Sequence, residues 1–143
     1  GETPPSSIKQ ELLVDNVEGK GRVMIMDDDE MLRSVAKKML VRLGNEVVLS
    51  EDGEEAIKLY QGAMNTNNPF DLVIMDLTIP GGMGGKEAVR EILKIDSGAK
   101  VIVSSGYSND PIMANYIDYG FCSAIVKPYR LQELSKMISQ LID

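Results

Sequence analysis

There is no histidine among the 143 residues of this chain. That absence removes Ser-His-Asp and Cys-His catalysis, histidine-ligated zinc, and any phosphohistidine step carried by the chain itself. If phosphate chemistry occurs here, the donor is another molecule or another domain. Cysteine is nearly absent too: the single Cys122 excludes an internal disulfide and a cysteine-based zinc cluster, and fits a reducing, cytoplasmic setting. Basic residues are in deficit, 15 against 22 acidic, for a net charge of −7. Nonspecific nucleic-acid binding relies on basic surface to neutralise phosphates, so no nucleic acid is expected as a partner. No apolar run approaches the roughly 18 residues of a membrane span, and the N-terminus has no signal-peptide core, so direct membrane insertion is not expected. Internal repeats and low-complexity segments are lacking as well.

What remains is the composition of a globular domain, 43% hydrophobic and 26% charged. Residues 1–21, with Thr3-Pro4-Pro5-Ser6-Ser7, read as a linker or tail with a short turn of helix at residues 8–14. Residues 22–143 read as one domain. Val23-Met24-Ile25-Met26 suits a strand buried on both faces. Met31, Leu32, Val35, Met39, Leu40 and Leu43 then recur at helical spacing, and Gly44 suits the stop. A short strand at 46–49 precedes a helix N-capped by Asp52 and carrying Ala56, Ile57, Tyr60 and Met64. Leu72-Val73-Ile74-Met75 is the third strand, and a helix follows with Ala88, Val89, Ile92 and Leu93. Residues 100–104 form a fourth strand, and a helix over 111–119 ends at Gly120. Ala124-Ile125-Val126 is the fifth strand, before a last helix with Leu131, Leu134, Met137, Ile138 and Leu141. The order βαβαβαβαβα implies an α/β fold whose parallel sheet is covered on both faces.

Five polar positions each follow an apolar run. They are Asp27 and Asp28, Asp76, Ser105 and Lys127. In an open parallel sheet all strands end on one side, where sites are built, so these groups converge on one pocket. Three carboxylates, one hydroxyl and one ammonium suit a divalent cation and a phosphoryl group. Magnesium takes oxygen ligands in octahedral geometry, which Asp27, Asp28 and Asp76 supply, and it relieves their like-charge repulsion. Asp76 is the candidate nucleophile, since carboxylates accept phosphoryl groups as acyl phosphates. Lys127 offers a point charge to a phosphoryl oxygen and Ser105 a hydrogen bond to another. Pro128 favours an extended conformation at Lys127.

Singly, each residue has a plainer explanation. Acidic doublets at strand ends are commonly solvated, and Asp29 and Glu30 read as first-turn charges of the next helix. Ser104 or Ser105 could cap a turn. The loop Pro80-Gly81-Gly82-Met83-Gly84-Gly85 lacks the Walker lysine and the GxGxxG spacing, and reads as structural. The conjunction carries the functional reading.

Val23-Met24-Ile25-Met26-Asp27-Asp28, Asp71-Leu72-Val73-Ile74-Met75-Asp76-Leu77-Thr78-Ile79-Pro80, Val101-Ile102-Val103-Ser104-Ser105-Gly106 and Val126-Lys127-Pro128-Tyr129 resemble the marker segments of response-regulator receiver domains. Asp52-Gly53-Glu54-Glu55-Ala56 matches a further receiver segment. The resemblance implies a flavodoxin-like (βα)5 doubly wound sheet of order 2-1-3-4-5. It implies phosphorylation of Asp76 by a histidine kinase or a histidine phosphotransfer domain, in a phosphoacceptor that is not itself an enzyme beyond assisting its own phosphorylation and dephosphorylation. By the same resemblance Asp27 and Asp28 serve a magnesium site (manganese being an alternative ion), with Asp28 the more direct ligand. The backbone carbonyl of Thr78 completes the protein ligands, Ser105 is the hydroxyl that shifts toward the phosphoryl group, and Lys127 is the family's lysine.

Two departures stand out. Receivers often carry Tyr or Phe three residues before the lysine, where this chain has Ala124. The glycine loop is one residue longer than the usual Pro-Gly-Met-Asp-Gly. With Ser105-Gly106-Tyr107-Ser108, that loop looks like receivers attached to hybrid sensor kinases. The start at Gly1 and the lack of an output domain after Asp143 agree with a C-terminal receiver module of a larger, membrane-attached kinase, with a stand-alone receiver as the other option. Dimerisation is left open. The rivals are an aspartate-nucleophile phosphohydrolase of the haloacid-dehalogenase type, for which Asp27-Asp28-Asp29 supplies an Asp-x-Asp, and a receiver-like interaction module that takes no phosphate.

Overall fold

A computed structural model describes residues 21–142. The expected linker at 1–20, with its turn of helix at 8–14, lies outside the described residues, whereas Gly21 already belongs to the first strand. The strands are β1 (Gly21–Met26), β2 (Asn45–Ser50), β3 (Leu72–Asp76), β4 (Val101–Ser105) and β5 (Ser123–Val126). Between and after them run α1 (Glu30–Arg42), α2 (Gly53–Asn65), α3 (Gly85–Ile95), α4 (Pro111–Ala114) with a 3-10 turn (Tyr116–Tyr119), and α5 (Leu131–Leu141). All pairings are parallel. The sheet order is β2-β1-β3-β4-β5, the doubly wound arrangement the sequence implies. The chain steps from β1 to one side and then returns to the other, so the crevice of the fold opens between the ends of β1 and β3.

Strand alternation divides the core in two. Met24, Met26, Val73, Met75, Val101 and Val103 face α2 and α3, where they meet Ala56, Tyr60, Ala88, Val89 and Ile92. Val23, Ile25, Leu72, Ile74, Ile102 and Ile125 face α1 and α5, against Ala36, Leu40, Leu134 and Ile138. Each large side chain so buried stabilises the fold by roughly 1.5–3 kcal/mol. Covering both faces is why these strands read as unbroken apolar runs.

Caps fix the helix ends. The Asp29 carboxylate accepts from the N–H groups of Met31 and Leu32 at 2.9 and 3.2 Å. It therefore caps α1 from outside rather than sitting in its first turn. Asp52 accepts from Glu55 N–H at 2.9 Å, as its position before α2 predicts. Gly44, at φ +95°, turns the chain out of α1 in the left-handed region that glycine adopts freely. The single helix expected over 111–119 is instead broken at Asn115. There the side-chain amide donates to Pro111 C=O at 2.9 Å, and the backbone N–H closes on Pro111 and Ile112. Asparagine competes in this way for the carbonyls a continuing helix would use.

Candidate functional site

The pocket begins with Asp27, whose backbone N–H donates to Ser50 C=O at 3.1 Å and so carries the β1–β2 ladder one residue past the strand. Its side chain is buried and doubly engaged. One carboxylate oxygen accepts from Asp29 N–H at 2.9 Å, the other from Lys127 Nζ at 3.0 Å. The Arg33 guanidinium, from α1, donates to the Asp27 backbone carbonyl at 2.7 Å. Asp76 closes β3 and faces the same side of the sheet, 3.2 Å from the same Lys127 nitrogen. Lys127 is held from below as well, its N–H donating to Ser105 C=O at 2.8 Å. Asp28 stands exposed beside the buried pair, and carboxylate oxygens of Asp27, Asp28 and Asp76 lie within 4.8 Å of one another.

Three acids against one ammonium leave an excess of negative charge. Burial, chiefly, and the Asp27 carboxylate push the Asp76 carboxyl up to about 6, against the opposing pull of Lys127. Burial by itself would lower the Lys127 ammonium, but the hydrogen bond to Asp27 and the field of Asp76 carry it above its ordinary value. Oxygen donors alone, in negative excess and with one of them exposed, are what a hard divalent cation requires. The residues present fit magnesium.

Ser105 is buried at the end of β4, and its Oγ accepts from Tyr107 N–H at 3.0 Å, the turn-capping role its type allows. The same hydroxyl keeps a proton to donate. Among the described residues no hydrogen bond joins this hydroxyl to Asp76 or Lys127. Thr78 is exposed, two residues past Asp76. The Lys127–Pro128 peptide bond is cis.

Two features of the site, Arg33 and the pairing of Ser104 with Tyr129, escape sequence reading, while a third is read correctly. Arg33 looks like any polar residue of an amphipathic helix. Ser104 is fully buried, and its hydroxyl pairs with that of Tyr129 at 2.7 Å across the sheet. The glycine loop proves structural in a definite sense: a Cβ at Gly84 would strike Leu77 C=O and lie 2.9 Å from Thr78 Cα, and one at Gly85 would lie 2.8 Å from Asp76 C=O. These two glycines let the start of α3 close onto the backbone that follows Asp76.

A buried carboxylate beside a lysine and two further acids, at the crevice of a 2-1-3-4-5 sheet, places the chain among the flavodoxin-like α/β domains with an acidic crevice. The chain belongs to the response regulator receiver domain family, which it matches over residues 23–139. It is a receiver domain of two-component signalling, a family whose general function is switching by a phosphorylated aspartate. The chemotaxis protein CheY of Bacillus subtilis is 33% identical over 123 residues, covering 85% of this chain and 98% of that protein. The receiver domain of the histidine kinase CKI1 from Arabidopsis thaliana, solved in complex with Mg2+, superposes with a TM-score of 0.76. It is 28% identical and covers 88% of this chain and 94% of that one. The receiver domain of the hybrid histidine kinase CckA has a TM-score of 0.69 at 28% identity, covering 86% and 100% of the two chains. No helix among the described residues is long and apolar enough to cross a membrane.

Proposed function

We propose that Asp76 is the phosphoacceptor of this receiver and that Asp27, Asp28 and the Thr78 backbone carbonyl join it in holding magnesium. The observation that carries this reading is the Lys127 ammonium bridging Asp27 and Asp76 at 3.0 and 3.2 Å, with Asp28 beside them. An Asp76 carboxylate oxygen attacks the phosphorus of a phosphohistidine on a kinase or phosphotransfer domain; the O–P bond forms and the N–P bond breaks. Magnesium, when bound, supplies positive charge for the oxygens of the transferring group. Lys127 stays protonated and holds one phosphoryl oxygen, and Ser105 donates its hydroxyl proton to another. The domain thus assists its own phosphorylation and dephosphorylation rather than turning over a separate substrate.

Phosphorylation biases a two-state equilibrium read out around α4, β5 and α5. Tyr107, Ile117 and Val126, in or beside those elements, are exposed large apolar side chains, which supports a docking role for the region. The CKI1 and CckA likenesses, together with the longer glycine loop, favour a histidine-kinase context over a stand-alone regulator.

The test is intact-mass analysis after incubation with acetyl phosphate, with and without magnesium. One magnesium-dependent phosphate is expected on the wild type and none on Asp76→Asn. Stoichiometric labelling of the Asn variant would overturn the assignment. Steady phosphate release without an adduct would point instead to a hydrolase, and neither adduct nor release to an interaction module.

A further inference from the structure

Ser104 and Tyr129 form a buried polar pair directly beneath the pocket, and the reaction described above does not use it. In the β3–β4 register Ser104 is the partner of Asp76, and alternation puts its side chain on the same face of the sheet as Asp27 and Asp76. Tyr129 is two residues beyond Lys127. Its side chain is buried and belongs to the apolar cluster under α1 and α5 that also holds Ile74, Ile102 and Leu134. A phenol in such surroundings needs a partner for its hydroxyl, and Ser104 Oγ, wholly shielded from solvent, provides it at 2.7 Å. Burial above all, and the nearby carboxylates of Asp27 and Asp76, hold the phenol well above its ordinary pKa.

The pair has a mechanical consequence. Lys127 is attached to the sheet by its N–H, which donates to Ser105 C=O. Beyond it the chain leaves the sheet, and Pro128 has no N–H to offer. The next fixed point is the Tyr129 hydroxyl, anchored to the residue preceding Ser105. Lys127 is thus clamped between two attachments, both to the end of β4.

We propose that Tyr129 and Ser104 are positioning residues that hold the Lys127 ammonium over the carboxylate cluster for phosphoryl transfer. The inference rests on the reading of Asp76 as phosphoacceptor and Lys127 as the phosphoryl contact. Without the phenol oxygen, the stretch between Lys127, still bonded through its N–H to Ser105 C=O, and α5 loses its second polar attachment to β4 and is held there by apolar packing, which sets depth but not register. The ammonium then samples positions away from the line of transfer. Neither residue touches the reacting atoms.

The experiment compares Tyr129→Phe, Ser104→Ala and the double variant with the wild type. It measures labelling by acetyl phosphate across a magnesium titration, and urea unfolding in parallel. Each single variant should lower the maximal labelling rate about 3- to 10-fold, the range one hydrogen bond supports, without weakening the magnesium half-saturation point. The double variant supplies the discriminating readout. Replacing both partners by apolar groups removes the orphaned hydroxyl, so its unfolding midpoint should recover toward that of the wild type, while its labelling rate stays low. If rate recovers together with stability, the pair is only structural and the inference falls. It falls equally if both single variants label at the wild-type rate. Should Tyr129→Phe fail to fold, Ser104→Ala removes the same bond with the ring left in place. Absence of label on the wild type would instead overturn the phosphoacceptor reading itself, which separates the two failures.

Discussion

Asp76 carries opposing demands. As the proposed phosphoacceptor its carboxylate must be ionised to act as a nucleophile, yet burial and Asp27 make ionisation costly, raising its pKa from 3.8 to about 6. The unfolded carboxyl ionises first as pH rises, and the folded one only at about 6. Between those values the folded state holds the additional proton, so stability falls with rising pH, and above about 6 the penalty is complete. Asp76→Asn removes it. In chelator at pH 7.5 the Asn variant should be more stable than the wild type by on the order of 2 kcal/mol, and the gap should close as pH is lowered toward 4. Urea unfolding at several pH values checks this. A variant equal to or less stable than the wild type above pH 7 would show that Lys127 compensates the carboxylate in full. Lys127 stands out in the sequence only in conjunction with the acids and the serine at the other strand ends, since a lysine before a proline by itself reads as a loop. Its two carboxylate partners lie 100 and 51 positions away, and only the strand order brings them to it.

At the scale of elements, the loop between β3 and α3 shows how backbone proximity is built. Gly84 approaches the backbone of Leu77 and Thr78 too closely for any side chain, whereas a Cβ added at Gly62, exposed in the last turn of α2, would meet nothing within 4 Å. The same substitution should therefore have opposite signs at the two places. Gly62→Ala should stabilise by about 0.5–1 kcal/mol through helix propensity. Gly84→Ala should destabilise by roughly 1–3 kcal/mol, because backbone atoms must shift, and it should also slow labelling of Asp76. Denaturant midpoints of the two variants decide it; equal effects would mean that the loop yields freely. The strands were legible because a sheet covered on both faces needs unbroken apolar runs, and β3 and β4 extend only one and two residues past theirs. The break in the fourth helix was not. Proline at its start and glycine at its end bracket a plausible helix, and nothing in the local pattern shows that Asn115 closes back onto Pro111. The hydroxyl pair of Ser104 and Tyr129 is hidden for a related reason: the motifs present both residues, but their contact depends on β4 and β5 lying side by side.

The whole molecule is acidic, with a net charge of −7, and among the described residues Asp27, Asp28 and Asp76 converge at one end of the sheet. Two different effects of magnesium follow, and they can be separated. General screening lowers self-repulsion over the surface and depends little on any one carboxylate. Site binding acts only on the folded state, and at one hundred times the dissociation constant it stabilises by about 2.7 kcal/mol. For a domain of this size that is a rise of about 8–12 °C in Tm. Asp28→Asn changes the overall charge by a single unit but removes the exposed carboxylate of the proposed site, the one free to turn toward an ion. The wild type should therefore gain the full shift on titration with magnesium chloride. Asp28→Asn should need severalfold more of the salt for the same gain, and potassium chloride at matched ionic strength should give little to either protein. If the variant follows the wild-type curve, magnesium is acting on the surface as a whole and the carboxylate cluster is not its site. If the curves part, the cluster both opposes folding through its repulsion and offers the means of relief, so that loading the site and readying Asp76 for a phosphoryl group are one event.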